Sequence, residues 1–342
     1  MRATQETSRK VMNDEQFIDY EPQRKALKEY TEKSALRRAA WCVAIPCIVF
    51  FVVSLLWGSA VILLLSNFGI GSEKAVKILT EPAALTIISV AISLLCFTVP
   101  FIIACVIAGE KVSVSAGFIK PKEGTLLPCF LLGLGFCSFA NIAVAYAGNI
   151  FESFGFNYSV PESEDPKGLF GFLLVLISTA VVPAIAEEFA FRGVVISLLK
   201  PFGEGFAVIA SASVFGLVHG NFDQMFFAFL VGLVLGFVRI KTGSITVCMA
   251  IHFANNLVAV ILSHFKNLPL YMSNTIYTIY LIIALLLAVL GVALLKEKNI
   301  FSFKEYDGVM EKKKIYKRYC FSVPTLILII IYLFRAVSYI NI

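Results

Sequence analysis

Nine mostly apolar stretches, near 40–66, 83–108, 126–149, 169–199, 205–220, 224–239, 243–263, 274–295 and 321–340, leave this chain little choice of architecture. A helix that crosses the hydrocarbon of a bilayer needs about 20 such residues. The fifth and sixth stretches are short by that rule. Composition agrees: 58% of the 342 residues are hydrophobic and 15% charged, whereas a soluble domain carries roughly half and a quarter. Mean hydropathy is +0.84. The expected fold is all-α, a polytopic transmembrane helical bundle of about eight to nine spans embedded in the lipid bilayer.

Charge sets the topology. Residues 1–39 hold nine Lys or Arg against seven acids, the basic excess lying beside the first apolar run. Lys111, Lys120 and Lys122 fall in the loop 109–125, Lys200, Arg239 and Lys241 in later turns, and eight Lys or Arg in the loop 296–319, including Lys312, Lys313 and Lys314. The loop 151–168 is acidic, with Glu152, Glu162, Glu164 and Asp165 against one lysine. Placing the N-terminus in the cytoplasm puts every basic loop inside and the acidic loop outside, as the positive-inside rule requires. Nine spans then leave the C-terminus outside, with Arg335 near the outer end and expected to snorkel. The tail 1–39 lacks a short apolar core with a small-residue cleavage site, so no cleaved signal peptide is expected. It reads as an orientation signal, helical near 22–38, or as an arm that touches lipid or a partner. The net charge of +6 belongs to these loops and argues for no nucleic-acid role. The eight cysteines are scattered through apolar runs without Cys-x-x-Cys spacing, which reads as small buried hydrophobes rather than disulfides or a thiolate zinc site.

Three polar clusters interrupt the apolar runs. They are Glu187-Glu188-x-x-x-Arg192, Phe215-x-x-x-His219 and His252-x-x-x-Asn256. An ionisable group within a span costs roughly 2.5–3.5 kcal/mol on insertion scales, so it points to function by default. Lys200-Pro-Phe-Gly-Glu204-Gly is a turn signal, making the fourth and fifth runs an antiparallel hairpin centred near Gly203. Glu187 and His219 lie equally far from that centre, about 20 Å above the turn at 1.5 Å per residue. His252 and Asn256 rise about 15–22 Å from the Lys241-Thr-Gly turn by the same measure. The third histidine, His264, falls in an outer loop and reads as a solvated surface residue. Glu188 and Arg192 stand i, i+4 with the acid first, the favourable order for a helical ion pair, which leaves Glu187 available. Pro183 loosens the helix just before the acids and opens backbone groups. Gly232-x-x-x-Gly236 reads as a close-packing face inside the bundle rather than a dimer contact.

A carboxylate beside an imidazole, in a cavity holding one water, makes a general base. A second imidazole and an amide are donors suited to an oxyanion. The same atoms admit a rival chemistry: Glu187, His219 and His252 are a possible zinc-ligand set with an open fourth position. Residue type does not separate the two. A bare Glu–Arg pair also serves as a structural bridge, and a single intramembrane His as a helix–helix hydrogen bond.

These three motifs, in this order on successive apolar runs, resemble the CAAX prenyl protease and bacteriocin-processing family of intramembrane endopeptidases (type II CAAX, or Abi). The resemblance covers about 170–263. It divides the chain into a cytoplasmic tail (1–39), N-terminal transmembrane helices (40–168), a catalytic core (169–263) and C-terminal transmembrane helices with a basic cytoplasmic loop (264–342). It implies a bundle open to the cytosol in which Glu187 and His219 activate water, His252 and Asn256 form the oxyanion hole, and Glu188 and Arg192 support the site. No cofactor is then needed, zinc being the alternative, since the family has been described both as metalloproteases and as glutamate proteases. Asn256, a poor zinc ligand and a good donor, favours the latter. The substrate is expected to be a peptide or membrane protein, and the setting a bacterial plasma membrane.

Two other classes compete. A catalytically idle scaffold or bacteriocin-immunity-type protein would bind a membrane partner through its bundle. A proton-coupled transporter would use the same acids as a relay, although matched Gly/Pro-broken helices in two halves are missing from the sequence. The sequence sets no oligomeric state.

Overall fold

The computed structural model describes residues 21–154, 157–158, 164–263, 268–295 and 302–341. His264 with its expected surface position, Glu162 of the acidic loop and the first 20 residues of the tail lie outside the described residues.

The long helix α1 (Glu21–Asn67) carries the polar segment 22–38 straight into the first apolar run without a break. After the short α2 (Ser72–Leu79) comes α3 (Pro82–Ala108). Its start is fixed by Pro82 in the first turn and by the Glu81 carboxylate, which accepts from the Ala84 N–H at 2.8 Å. Its end is fixed by Gly109 at φ +82°. Then follow α4 (Val112–Ala116) and α5 (Leu126–Ser153). The motif-bearing α6 (Gly168–Phe202) turns at Gly203 into α7 (Glu204–Leu217), and α8 (Phe222–Thr242), α9 (Ile245–Ser263) and α10 (Leu270–Leu294) complete the centre. Last come α11 (Lys312–Cys320) and α12 (Val323–Val337).

Seven of these described helices are long and apolar enough to cross a bilayer, and the pair α11–α12, bent by 52°, makes an eighth if it is one span. Each of the nine apolar runs is thus a helix, with two departures from expectation. The fifth, α7, has 14 residues, about 21 Å, and is too short to cross about 30 Å of hydrocarbon. The sixth, α8, is a full 21 residues because its helix continues through Arg239 and Lys241 to Gly243, whose φ of +72° ends it. Residues Asn157–Tyr158 pair antiparallel with Ile340–Asn341, which places the C-terminal end on the same face as the loop 151–168.

Two apolar clusters hold the site between them. One joins α1, α3, α6, α7 and α12 around Phe97, Phe101, Phe191 and Phe215; the other joins α5, α8 and α9 around Cys129, Leu235, Cys248 and Ile251. All eight cysteines are free, seven of them buried and only Cys320 exposed. Arg335 does not reach outward. Its Nη1 donates to Ser54 Oγ at 2.8 Å, and its side chain lies against Gly220. A hydroxyl partner inside the bundle outcompetes a longer reach to the headgroups.

Gly232 and Gly236 face α7. A Cβ on Gly232 would stand 2.9 Å from Ala212 Cα and 3.4 Å from Phe215 Cδ1, and one on Gly236 would stand 3.0 Å from Val208 Cγ1. The small-residue face therefore sets the α7–α8 distance within one chain. Gly232→Val is expected to overpack this contact at a cost of about 1–3 kcal/mol, read as an earlier thermal transition, whereas a substitution at Gly148, where a Cβ meets nothing within 4 Å, leaves the transition in place.

Glu32, in the polar part of α1, anchors the segment before α11. It accepts from the Tyr306 hydroxyl and from the backbone N–H groups of Val309 and Met310. Burial first, and then the hydrogen bond to Glu32, push the Tyr306 phenol up to about 12. A raised phenol pKa favours the neutral form in the folded chain, so this contribution is full below about 10 and fades as pH climbs from there toward 12. Subtracting the 295-nm titration of Tyr306→Phe from that of wild type should isolate a tyrosine ionising near the upper end of that window.

Candidate active site

The site begins with a defect in α6. A proline has no N–H to give the carbonyl four residues earlier. For Pro183 that carbonyl is Thr179 O, and the backbone around it is π-helical over Ile177–Val181, with Val182 N–H bonded to Ile177 O. A second π-helical segment spans Phe189–Val195. Carbonyls freed in this way need donors from elsewhere. Ser211 Oγ donates to Phe191 O at 3.2 Å, Arg239 Nε to Arg192 O at 3.1 Å, and Asn256 Nδ2 to Thr179 O at 2.8 Å. Arg239, read from sequence as a topology charge, is thus tied to the motif helix.

Glu188 and Arg192 form the expected ion pair at 2.8 Å, with side chains 0% and 1% exposed. Sequence spacing gave Glu188 one partner, and the structure gives it two. His252 Nδ1–H donates to the same Glu188 Oε1 at 2.8 Å. Arg192 also lies over the Phe215 ring, its Cζ 4.3 Å from the centroid, a cation–π contact that offsets part of the burial of the guanidinium. Within this network Glu188 Oε2 and Arg192 Nε and Nη2 are buried without a hydrogen-bond partner among the described residues.

Glu187 is in a different situation. Its side chain is 16% exposed, it makes no bond to Arg192, and its Oε2 lies 4.0 Å from His252 Nε2. That is too long for a hydrogen bond and short enough for one water to contact both atoms. His252 therefore stands between the two glutamates, one ring nitrogen toward each. With Nδ1–H committed to Glu188, Nε2 donates only when the ring carries both protons.

His219 Nδ1 lies 2.8 Å from Phe215 O. A carbonyl only accepts, so Nδ1 carries the proton and Nε2 of the neutral ring is an open lone pair, the form a base requires. The Phe215 ring meets His219, Phe191 and His252 at centroid distances of 5.0, 5.0 and 6.3 Å. Phe191 and Phe215 are equidistant from Gly203 along the chain, and their contact shows that α6 and α7 pair in that register. No hydrogen bond joins Glu187 to His219 among the described residues; Phe215 is what the two histidines share.

Asn256 holds one amide proton on Thr179 O and retains the other, while its Oδ1 accepts from Asn255 Nδ2 at 3.1 Å. Sequence reasoning missed Phe215 as the hub, Thr179 as the Asn256 acceptor and Asn255 as the group that orients its amide. The spacing from Thr179 to Pro183 was the available signal for the second. As for zinc, the donor set Glu187, His219 and His252 does not converge in this arrangement: among the described residues no group of three His, Cys, Asp or Glu side chains is placed to hold a metal ion.

Residues 169–258 match the family model described as Type II CAAX prenyl endopeptidase Rce1-like. No curated protein and no solved structure matches the chain. The matched segment runs from the start of α6 into α9 and contains Glu187, Glu188, Arg192, His219, His252 and Asn256, while α1 to α5 and α10 to α12 lie outside it. Over the segment 169–258 the chain is thus similar to the type II CAAX prenyl endopeptidases, membrane-embedded proteases.

Proposed function

We propose that the chain is an intramembrane endopeptidase that hydrolyses an amide with water activated by Glu187 and His219, without a metal. The observation that carries this reading is the unequal treatment of two adjacent carboxylates. Glu188 is buried and neutralised by Arg192 and His252, while Glu187 keeps access to solvent and no close ion pair. A carboxylate free of a close ion pair, working with an imidazole whose second nitrogen is a lone pair, can take the proton from water as it adds to a carbonyl. In the tetrahedral intermediate the new oxyanion needs donors. The spare Asn256 amide proton supplies one, and His252 Nε2 supplies a second when its ring is doubly protonated. The proton held by Glu187 then goes to the departing amine. Peptides or membrane-protein segments in the bilayer are the substrates, and the setting is a bacterial cell membrane with the N-terminus in the cytoplasm.

The test compares peptides released in inverted membranes by wild type and by Glu187→Gln, with zinc assayed on both purified proteins. Specific fragments from wild type only, with no stoichiometric zinc, are expected. Zinc bound by wild type and lost on His219→Ala or His252→Ala would replace this mechanism with a metalloprotease. Identical fragments from both proteins would reduce the chain to a scaffold for a membrane partner.

A further inference from the structure

A second built feature lies away from the glutamates, where α1 meets α11 and the start of α12. The two long helices run side by side in the same direction: Pro324 and Trp41 line one groove, Tyr332 Oη donates to Cys47 O at 2.9 Å, and Arg335 Nη1 to Ser54 Oγ at 2.8 Å. Both change from polar to apolar at the same level, α1 after Arg38 and the α11–α12 pair after Cys320. Between them opens a groove of about 870 Å³.

Five cations line it, namely Lys33, Arg37, Lys314, Lys317 and Arg318, and none of its lining residues is acidic. Lys33 is paired with Glu29 and Lys314 with Glu311. Arg37, Lys317 and Arg318 are exposed and form no ion pair among the described residues, so that, with Glu29 near enough to feel Arg318, the cleft keeps an excess of positive charge. The helix α11 is amphipathic, burying Ile315 and Tyr319 while it exposes its lysines. Three aromatic residues, Tyr30 (67% exposed), Trp41 (37%) and Phe321 (70%), also line the groove, and the floor includes Leu36 and Ala40.

We propose that this groove binds the headgroup of an anionic phospholipid. Basic pockets between helices at a membrane surface suit a phosphate. Aromatic side chains with an apolar body and a polar edge sit at headgroup level. The apolar floor continues toward the bilayer, where the first carbons of an acyl chain run. An acidic peptide would satisfy the cations and leave the apolar floor and the exposed Phe321 without a partner. Lipid satisfies all three features, and the bend between α11 and α12 is what folds the basic helix over the phosphate. The inference is independent of the peptidase reading.

The test uses the full chain carrying Trp57→Phe, so that Trp41 is the only tryptophan. It is placed in vesicles that mix phosphatidylcholine with phosphatidylglycerol, one or the other brominated on its chains. Brominated phosphatidylglycerol should quench Trp41 preferentially, with a relative affinity of about fivefold or more, which corresponds to one basic contact. The triple substitution Arg37→Gln, Lys317→Gln, Arg318→Gln should bring the ratio to parity, and the charge-matched control Arg24→Gln, Lys25→Gln, Lys313→Gln should keep it. Equal quenching by both lipids in the parent, or an unchanged ratio in the triple variant, would overturn the proposal. Relief of the preference by millimolar glycerol 1-phosphate, beyond that of chloride at equal ionic strength, would reassign the groove to a soluble phosphate. Relief by an aspartate-rich peptide would reassign it to a protein partner.

Discussion

Glu187→Gln is expected to lower peptide hydrolysis by about 10²–10⁴-fold, the usual contribution of a positioned general base, while thermal unfolding stays where it is. The amide fills the same space as the carboxylate and can still contact a water, but it cannot accept the proton. Stability is spared because Glu187 makes no close ion pair: its side chain keeps 16% exposure, and His252 Nε2 stands 4.0 Å away, beyond hydrogen-bond distance. The unfolding readout is built into the chain. Seven buried cysteines become reactive to a thiol dye only as the bundle opens, over a baseline set by the exposed Cys320. A loss of turnover with an unshifted thiol curve is the expected result. A shifted curve would make Glu187 structural, and retained turnover would remove it from the chemistry.

How far the sequence foretold this arrangement depends on the kind of contact. The helices were legible because twenty apolar residues in lipid have one economical backbone solution. The Glu188–Arg192 pair was legible because both residues sit on one helix four apart. The hairpin level was legible because the turn at Gly203 counts equally in both directions, and the Phe191–Phe215 contact falls on that count. Rotation about each helix axis was not legible. A π-helical turn inserts a residue and swings the remainder of the helix by about 100°, and α6 contains two such segments around the motif. Spacing alone therefore could not tell that His252 reaches Glu188 as well as Glu187, or that both histidines meet at Phe215 rather than at Glu187. The shortness of α7 was legible in its short apolar run, and the structure adds its cause: the chain turns at Gly220, at φ +65°, and Asn221, which accepts from Gln224 N–H at 2.9 Å, starts α8. The bend between α11 and α12 comes at Ser322 and Pro324, a local stop whose consequence depends on α1 lying alongside.

Glu188→Ala, unlike Glu187→Gln, should lose stability, by about 3–5 kcal/mol, because it strands Arg192 as a buried charge. Arg192 has no other acid within ion-pair distance among the described residues, and its Nε and Nη2 are already without hydrogen-bond partners. Only the Phe215 ring, 4.3 Å away, would remain to face the guanidinium, and such a contact contributes on the order of 1–2 kcal/mol. His252 would lose its Nδ1 acceptor in the same step, so the imidazole facing Glu187 would be free to turn, and activity would fall as well. The double variant Glu188→Leu, Arg192→Met separates the two effects. Replacing both ends of a buried pair with apolar groups of similar volume is often neutral for stability, so the thiol-dye transition should return to near the wild-type temperature. Activity should not return, because an isobutyl side chain in place of the Glu188 carboxylate cannot orient His252. If the double variant were as unstable as Glu188→Ala, the ion pair itself, rather than the stranded charge, would be what holds α6 in place. If it were both stable and active, Glu188 and Arg192 would have no part in presenting His252 to the site.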